Sequence, residues 1–285
     1  MDTSRRISGF KYDCLLLAPI FSTDMDDTLY PLSTGLNLAC RKNIEGYMLK
    51  HLLMEESEVP KLCVDLYREY GTTMAGLKAF GYEFDNDEFH AYVHGRLPYE
   101  KLKPDPVLRS LLLSMPQRKI VFTNADQAHA HQVLNRLGLN DCFDGIICFE
   151  TLNPPNYTNV PTDTHLLTWS KSFNKDCNQV ESGCFNSKTQ ILCKPSVEAI
   201  EAAIQIANVD PRKTLFFDDS ARNIASGKAA GLNTVIVGRS DLVPGADYAL
   251  NSIHNIKEAL PKIWEVEGEL QQMIQSPAVE TMVLA

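Results

Sequence analysis

Five short apolar runs, at residues 14–21, 119–123, 145–149, 214–217 and 234–237, are separated by stretches whose apolar positions recur at helical spacing. Runs that short and that uniformly apolar predict strands buried on both faces. Between them, residues 128–137 predict a helix stopped by Gly138. Residues 196–207 put Val197, Ile200, Ile204 and Ala207 on one face behind Ser196, a good N-cap, and residues 221–230 end in the same way at Gly231. Strands alternating with helices predict an α/β fold: a Rossmann-like parallel sheet flanked by helices, with ligands beyond the carboxyl ends of the strands.

Two stretches break the alternation. Residues 34–100 carry helix-favouring patterns at 38–54, 59–70 and 85–94 and no strand, which predicts a small α-helical cap; residues 1–33 and 101–275 then form the core. Residues 151–190 are polar and contain Pro154, Pro155 and Pro161, so they predict an irregular insertion in that core. The first apolar run is itself interrupted by Pro19, which has no N–H for a central ladder. Either residues 14–17 or residues 20–23 must therefore take the strand position, and the first choice would displace the acidic cluster that follows Thr23.

At 285 residues and 44% apolar, the chain is long enough for a core domain plus a smaller insert. Its net charge of −9, with no basic run, argues against a nucleic-acid partner and leaves small anionic ligands. Eight cysteines occur without a C-x-x-C pair, so neither a cysteine zinc site nor a redox pair is expected. Free thiols and the lack of a membrane-length apolar run make the cytoplasm the expected location, with no membrane partner. Oligomeric state is not legible.

Four features fall at or just beyond strand ends: Asp24-Met25-Asp26-Asp27-Thr28, Thr123-Asn124, Lys194-Pro195 and Asp218-Asp219-Ser220. Each alone is common on turns, but together they supply what phosphoryl transfer needs: a nucleophile, a proton carrier, fixed donors and a cation site. Asp24 can attack phosphorus, and Asp26, two residues on, can reach the leaving oxygen. Thr123, the main-chain N–H of Asn124 and Lys194 can hold phosphate oxygens. Asp24, the Asp26 main chain and Asp219 offer the oxygen ligands that Mg²⁺ prefers.

Asp24-x-Asp26-x-Thr28, Thr123, Lys194 and the Asp218-Asp219 pair resemble, in order, the four motifs of the haloacid dehalogenase superfamily. The resemblance implies nucleophile Asp24, acid/base Asp26, phosphate binders Thr123 and Lys194, and metal ligands Asp24, Asp26 and Asp219, with Asp218 a nearer or supporting member. Dehalogenases proper lack the second carboxylate, so Asp26 implies a Mg²⁺-dependent phosphatase. The strings Asp26-Asp27-Thr28-Leu29-Tyr30-Pro31, Gly95-Arg96-Leu97-Pro98-Tyr99 and Phe216-Phe217-Asp218-Asp219-Ser220-Ala221-Arg222-Asn223 are similar to the pyrimidine 5′-nucleotidase branch. That implies a small phosphorylated metabolite, a nucleoside monophosphate, as substrate. The alternatives are a phosphatase for a sugar phosphate or phosphoglycolate, and a non-catalytic or impaired binding protein on the same scaffold. The family places a large hydrophobic residue before the nucleophile, where this chain has Ser22-Thr23.

Other tempting residues have plainer expectations. His90 and His94 have a metal-compatible spacing but no third ligand in sequence, and are expected to be packed or solvated. His129 and His131 point to different sides of a helix, so at most one can approach the site. Arg96, Tyr92 and Tyr99 either grip a nucleobase or pack the insert, with packing the expected outcome.

Overall fold

The computed structural model describes residues 20–154 and 191–264. Residues 14–17, residues 155–190 and the tail beyond residue 264, including the part assigned to the core, lie outside the described residues. In chain order the elements are β1 (Ile20–Thr23), α1 (Leu36–Lys50), α2 (Val59–Tyr70), α3 (Thr73–Ala79), α4 (Asn86–Val93), α5 (Pro106–Leu113) and β2 (Arg118–Phe122). There follow α6 (Gln127–Leu137), β3 (Gly145–Ile147), α7 (Phe149–Leu152), α8 (Val197–Ala207), β4 (Thr214–Asp218), α9 (Ala221–Ala229), β5 (Asn233–Val237), β6 (Tyr248–Leu250) and α10 (Ile256–Ala259).

The six strands form one sheet in the order β3-β2-β1-β4-β5-β6, and every pairing is parallel. Strand β1 lies at the centre, and the chain steps outward from it first through β2 and β3, then through β4, β5 and β6. The order reverses at β1, so a crevice opens between its carboxyl end and those of its neighbours. Ile20 to Thr23 occupy the ladder, paired with Arg118 to Val121 on one side and Thr214 to Phe217 on the other. Pro19 thus precedes the strand, and Asp24 follows it directly.

Successive strand residues face opposite layers. Val121, Leu215, Phe217, Val235 and Val237 pack with Leu108 and Leu112 of α5 and Val133, Leu134 and Leu137 of α6. Ile120, Phe122, Phe216 and Ile236 pack on the other side with Ile200 and Ala203 of α8 and Ile224 of α9. Two buried faces explain why these strands read as continuous apolar runs. The helix stops also follow the sequence: Gly138 takes a φ of 71°, and Ser196 Oγ accepts from the Ala199 N–H at 3.2 Å.

Helices α1 to α4 lie between β1 and β2 and share a third cluster, built on Tyr47, Met48, Leu66, Leu77, Phe89 and Val93. Helices α3 and α5 carried no distinct sequence expectation. Each is short and begins at a side-chain cap, Thr72 accepting from Ala75 N and Asp105 from Leu108 N. The run 145–149 splits: the strand stops at Ile147, and Phe149 opens α7 because Cys148 N donates to Thr151 Oγ1 and Phe149 N to the Ala125 carbonyl. Thr151 and Leu152, expected to be irregular, belong to that helical turn. No described helix is long and apolar enough to cross a membrane.

Gly71, just after α2, has a φ of 87°, and a Cβ there would stand 2.4 Å from the Lys194 carbonyl oxygen. Helix α2 thereby abuts the Lys194-Pro195 segment through bare backbone. Gly71→Ala should lower stability by at least about 1 kcal/mol in urea denaturation. Gly138→Ala shares the positive φ but meets only Pro104 Cβ at 3.9 Å, so it should cost less. Equal losses would show that the close approach has no energetic weight.

Candidate active site

The residues singled out in the sequence come together at the carboxyl ends of β1, β2 and β4. Asp24 lies one residue beyond β1, its N–H donating to the Phe217 carbonyl at 2.8 Å. Thr123 lies one residue beyond β2, its N–H donating to the Ile147 carbonyl at 2.9 Å. Asp218 ends β4 and Asp219 follows it. Met25 and Leu29 are buried in the core below, pinning the turn after β1, while Asp24, Asp26 and Asp27 line a cavity of about 250 Å³. Thr123, Asn124, Lys194 and Asp219 line the same cavity, and Asp218 stands behind it.

Lys194 is 1% exposed, and its ammonium is 2.9 Å from Asp24 Oδ1 and 2.9 Å from Asp218 Oδ2. It also donates to the Phe122 carbonyl at 2.7 Å. Asn124 fixes the lysine backbone at two points, Nδ2 donating to the Lys194 carbonyl at 2.9 Å and Oδ1 accepting from its N–H at 2.8 Å. Asp218 is fully buried, and both its oxygens are engaged, by Lys194, the Ser220 N–H and the Asn223 side chain. This saturation makes Asp218 a support for Lys194, although its carboxylate lies close enough to Asp24 and Asp219 to belong to one potential metal-binding group. The Asp26 side chain is not in that group.

Burial pushes the Asp24 carboxyl well above its ordinary range; Lys194 opposes the shift, while Asp218, Asp219 and Asp26 add to it. Burial and the adjacent Asp218 raise Asp219 to about 7. Asp27, whose φ is 55°, rises to about 6 through burial, against a hydrogen bond from Asn37. Asp26 differs. Burial opposes its charge too, but His129 and Tyr30 hydrogen-bond the carboxylate and hold it at about 2. His129 Nε2 is 2.9 Å from Asp26 Oδ1 and Nδ1 meets the Tyr99 hydroxyl at 2.7 Å, while the Asp26 charge keeps the imidazole above its usual range against the penalty of burial.

Lys194 supplies one positive charge among Asp24, Asp218 and Asp219. Burial first, and the crowding of Asp24, Asp218 and Asp219 second, disfavour the charged carboxylates, and this all-oxygen donor set fits Mg²⁺, a hard cation that would relieve both.

His129 faces the site and His131 is exposed, in keeping with their positions on α6. Tyr99 reaches the cavity only through His129, and Arg96 lies over the Tyr92 ring at 3.6 Å, outside the cavity lining. Those two therefore pack the insert. No role was legible in the sequence for Tyr30 or Asn223, nor for the Asn124 side chain. Asn223 falls in the first turn of α9, five residues past Asp218, where it reaches back to the strand end; that spacing was the available signal. Arg222 donates to the Tyr67 and Arg68 carbonyls, tying α9 to the end of α2.

His90 and His94 acquire the third partner that sequence spacing lacked. Asp126, the N-cap of α6, hydrogen-bonds His94 Nδ1 and lies 3.8 Å from His90 Nδ1. His90 is 6% exposed, and neither ring nitrogen has a hydrogen-bond partner among the described residues. Leaving a buried polar group unsatisfied in this way costs about 1–3 kcal/mol. Burial holds its pKa at about 4.

Lys194→Met would leave Asp24 and Asp218 without their shared cation, and breaking a buried pair in this way costs about 3–5 kcal/mol. The deficit relative to wild type should shrink as pH falls, because protonating carboxyls with raised folded-state pKa values restores stability below those values and forfeits it above them. Urea denaturation of both proteins at about pH 5 and about pH 8 measures this; a deficit independent of pH would reject the charge explanation.

No family model matches the chain. Phosphate metabolism protein 8 of Saccharomyces cerevisiae is 25% identical over 226 residues, which cover 76% of this chain; the chain spans 60% of that relative's length. Among solved structures, L-2-haloacid dehalogenase of Xanthobacter autotrophicus aligns over 88% of this chain and 98% of its own, at 13% identity and a TM-score of 0.48. A HAD phosphatase of Thermococcus onnurineus aligns over 84% and 96%, at 15% identity and a TM-score of 0.49. A β-phosphoglucomutase of Clostridium difficile aligns over 89% and 99%, at 17% identity and a TM-score of 0.47. The described residues form a Rossmann-like α/β fold with Asp24, Thr123 and Asp218 at the carboxyl ends of β1, β2 and β4, an arrangement similar to that of haloacid dehalogenase-like proteins.

Proposed function

We propose that the chain is a Mg²⁺-dependent phosphomonoester hydrolase that works through an aspartyl-phosphate on Asp24, with residues 34–100 acting as a cap over the core. The observation that carries this reading is the Lys194 ammonium seated 2.9 Å from Asp24 Oδ1, in a cavity that Asp26, Thr123 and Asp219 also line. Asp24 and Asp219, supported by Asp218 and the Asp26 main chain, would hold Mg²⁺. When bound, the ion supplies charge neutralisation between the anionic nucleophile and the anionic ester.

In the first step Asp24 forms a bond to phosphorus and the ester P–O bond breaks. The Thr123 hydroxyl, the Asn124 N–H and Lys194 stabilise the charge spread over the phosphoryl oxygens. The departing oxygen takes a proton that His129 gives up through the ionised Asp26 carboxylate 2.9 Å away, leaving His129 neutral and Asp26 ready to act as a base. In the second step Asp26 accepts a proton from water, which attacks phosphorus and releases Asp24 and inorganic phosphate. The cavity lining also includes Leu36, Phe89, Val93, Leu97 and Phe149, which suit an apolar or planar leaving group. We therefore take a nucleoside monophosphate, with a pyrimidine base by the motif resemblance, as the substrate class ahead of a sugar phosphate or phosphoglycolate. The yeast relative's name, a phosphate metabolism protein, agrees with phosphate ester chemistry.

The test is release of inorganic phosphate from a panel that includes UMP, CMP, sugar phosphates and phosphoglycolate, with Mg²⁺ or with EDTA. Turnover should vanish with EDTA, fall at least about a thousandfold in Asp24→Asn and fall about a hundredfold or more in Asp26→Asn. Mg²⁺ binding by folded protein without turnover on any ester would overturn the enzyme reading in favour of a binding protein.

A further inference from the structure

We propose that His90, His94 and Asp126 form a second metal site, for a first-row transition ion of the zinc type, on the wall of the cavity. His90 lies in the last turn of α4 and His94 is its C-cap, so the two imidazoles share one face, with ring centroids 5.4 Å apart and planes 27° from parallel. Asp126 enters from α6 and lies against both. One donor atom from each residue falls within 4.8 Å of the others. Ligand atoms about a tetrahedral zinc stand roughly 3.3–3.5 Å apart, so modest side-chain shifts would close the site.

The independent observation is His90 itself. It is buried, it lines the cavity, and neither of its nitrogens has a hydrogen-bond partner among the described residues, although the Phe149 ring packs against it at 4.6 Å. Packing accounts for the ring's carbon edges and leaves its nitrogens unexplained, and a native group in that condition calls for an ion or a water. The donors also discriminate. Two imidazole nitrogens and one carboxylate oxygen are a zinc-type set that leaves a fourth position open, whereas Mg²⁺ prefers the all-oxygen set at Asp24 and Asp219. Because His90 and His94 both line the cavity, the open position faces the space where a leaving group would lie, and would take a water or a nitrogen or oxygen donor of the bound ligand. Coordination through Asp126 Oδ1 leaves Oδ2 to cap α6 at the His129 N–H.

The test is calorimetric titration of the full chain with Zn²⁺, under a thiol-protecting phosphine reductant and saturating Mg²⁺, with Co²⁺ absorption as the spectroscopic probe. Wild type should bind a zinc ion that His90→Gln binds at least about tenfold more weakly, with Co²⁺ bands that the variant lacks. Zn²⁺ should raise the Tm of wild type and leave that of His90→Phe, which keeps a ring and removes both donors, unchanged. Asp24→Asn should bind zinc as wild type does. Equal zinc affinity in wild type and His90→Gln, no zinc-dependent shift in wild-type Tm, or loss of binding in Asp24→Asn would each overturn the proposal. The readout is independent of phosphate release, so failure here and failure of the hydrolase reading are separable.

Discussion

One ammonium group organises the centre of this molecule. The sheet brings three strand ends together at β1, and each end delivers a backbone carbonyl or a carboxylate into a region with little water. Lys194 joins them: it accepts no bond, donates to Asp24, Asp218 and the Phe122 carbonyl, and lies 4.8 Å from the Phe122 ring centroid and 5.6 Å from that of Phe216. A lysine so buried would ordinarily lose its proton, but the paired carboxylates hold it charged. The arrangement is costly in desolvation and brings no obvious stability, as is usual for buried ion pairs. Its consequence is geometric. Asp24, Asp218 and the end of β2 at Phe122 are fixed to a single atom.

Around that atom the two halves of the cavity use different physics. The sheet side is crowded with like charges, which burial and mutual repulsion push toward neutrality, so a divalent ion has much to relieve there. The helical side, from α1 to α4, is largely apolar and aromatic, with Asn37, Thr72, Thr73 and two histidines as its polar members. The polar floor suits the group common to all phosphate esters, and the helical wall suits whatever distinguishes one ester from another.

Much of the fold was legible because the strongest signals were local. Four of the short apolar runs became the inner strands and the run at 145–149 the edge strand β3, and Gly138 and Ser196 ended and began helices where their chemistry allows. Strand β6 escaped because Tyr248–Leu250 has only three residues and borrows its pairing from β5. The contest around Pro19 could not be decided locally; Ile20 to Thr23 take the ladder because Asp24 must continue it onto the Phe217 carbonyl. In the site, residue types and order pointed to Asp24, Thr123, Lys194 and Asp219. The resemblance already set Asp218 apart from Asp219, and the fold adds that Asp218 turns inward to the lysine while Asp219 lines the cavity. Asp126 as a partner of His90 and His94 was invisible, because it is 32 residues from His94 and meets it only when α4 and α6 are packed.

Two asparagines govern how the chain returns to this centre. Asn153 donates to the Leu192 carbonyl at 3.0 Å and accepts from its N–H at 2.8 Å, and Asn124 does the same for Lys194 two residues on. Each side-chain amide imitates a strand neighbour, so the approach to Lys194 is held by a ladder that contains no second strand. Chain departing after Asn153 and returning at Leu192 is closed at its base by these amides, whatever its length. Closure entropy grows only logarithmically, by about 0.6 kcal/mol per doubling of a flexible connection. Lys194 is therefore positioned by amides on the described residues themselves, and the contacts that hold its ammonium do not depend on how long the intervening chain is.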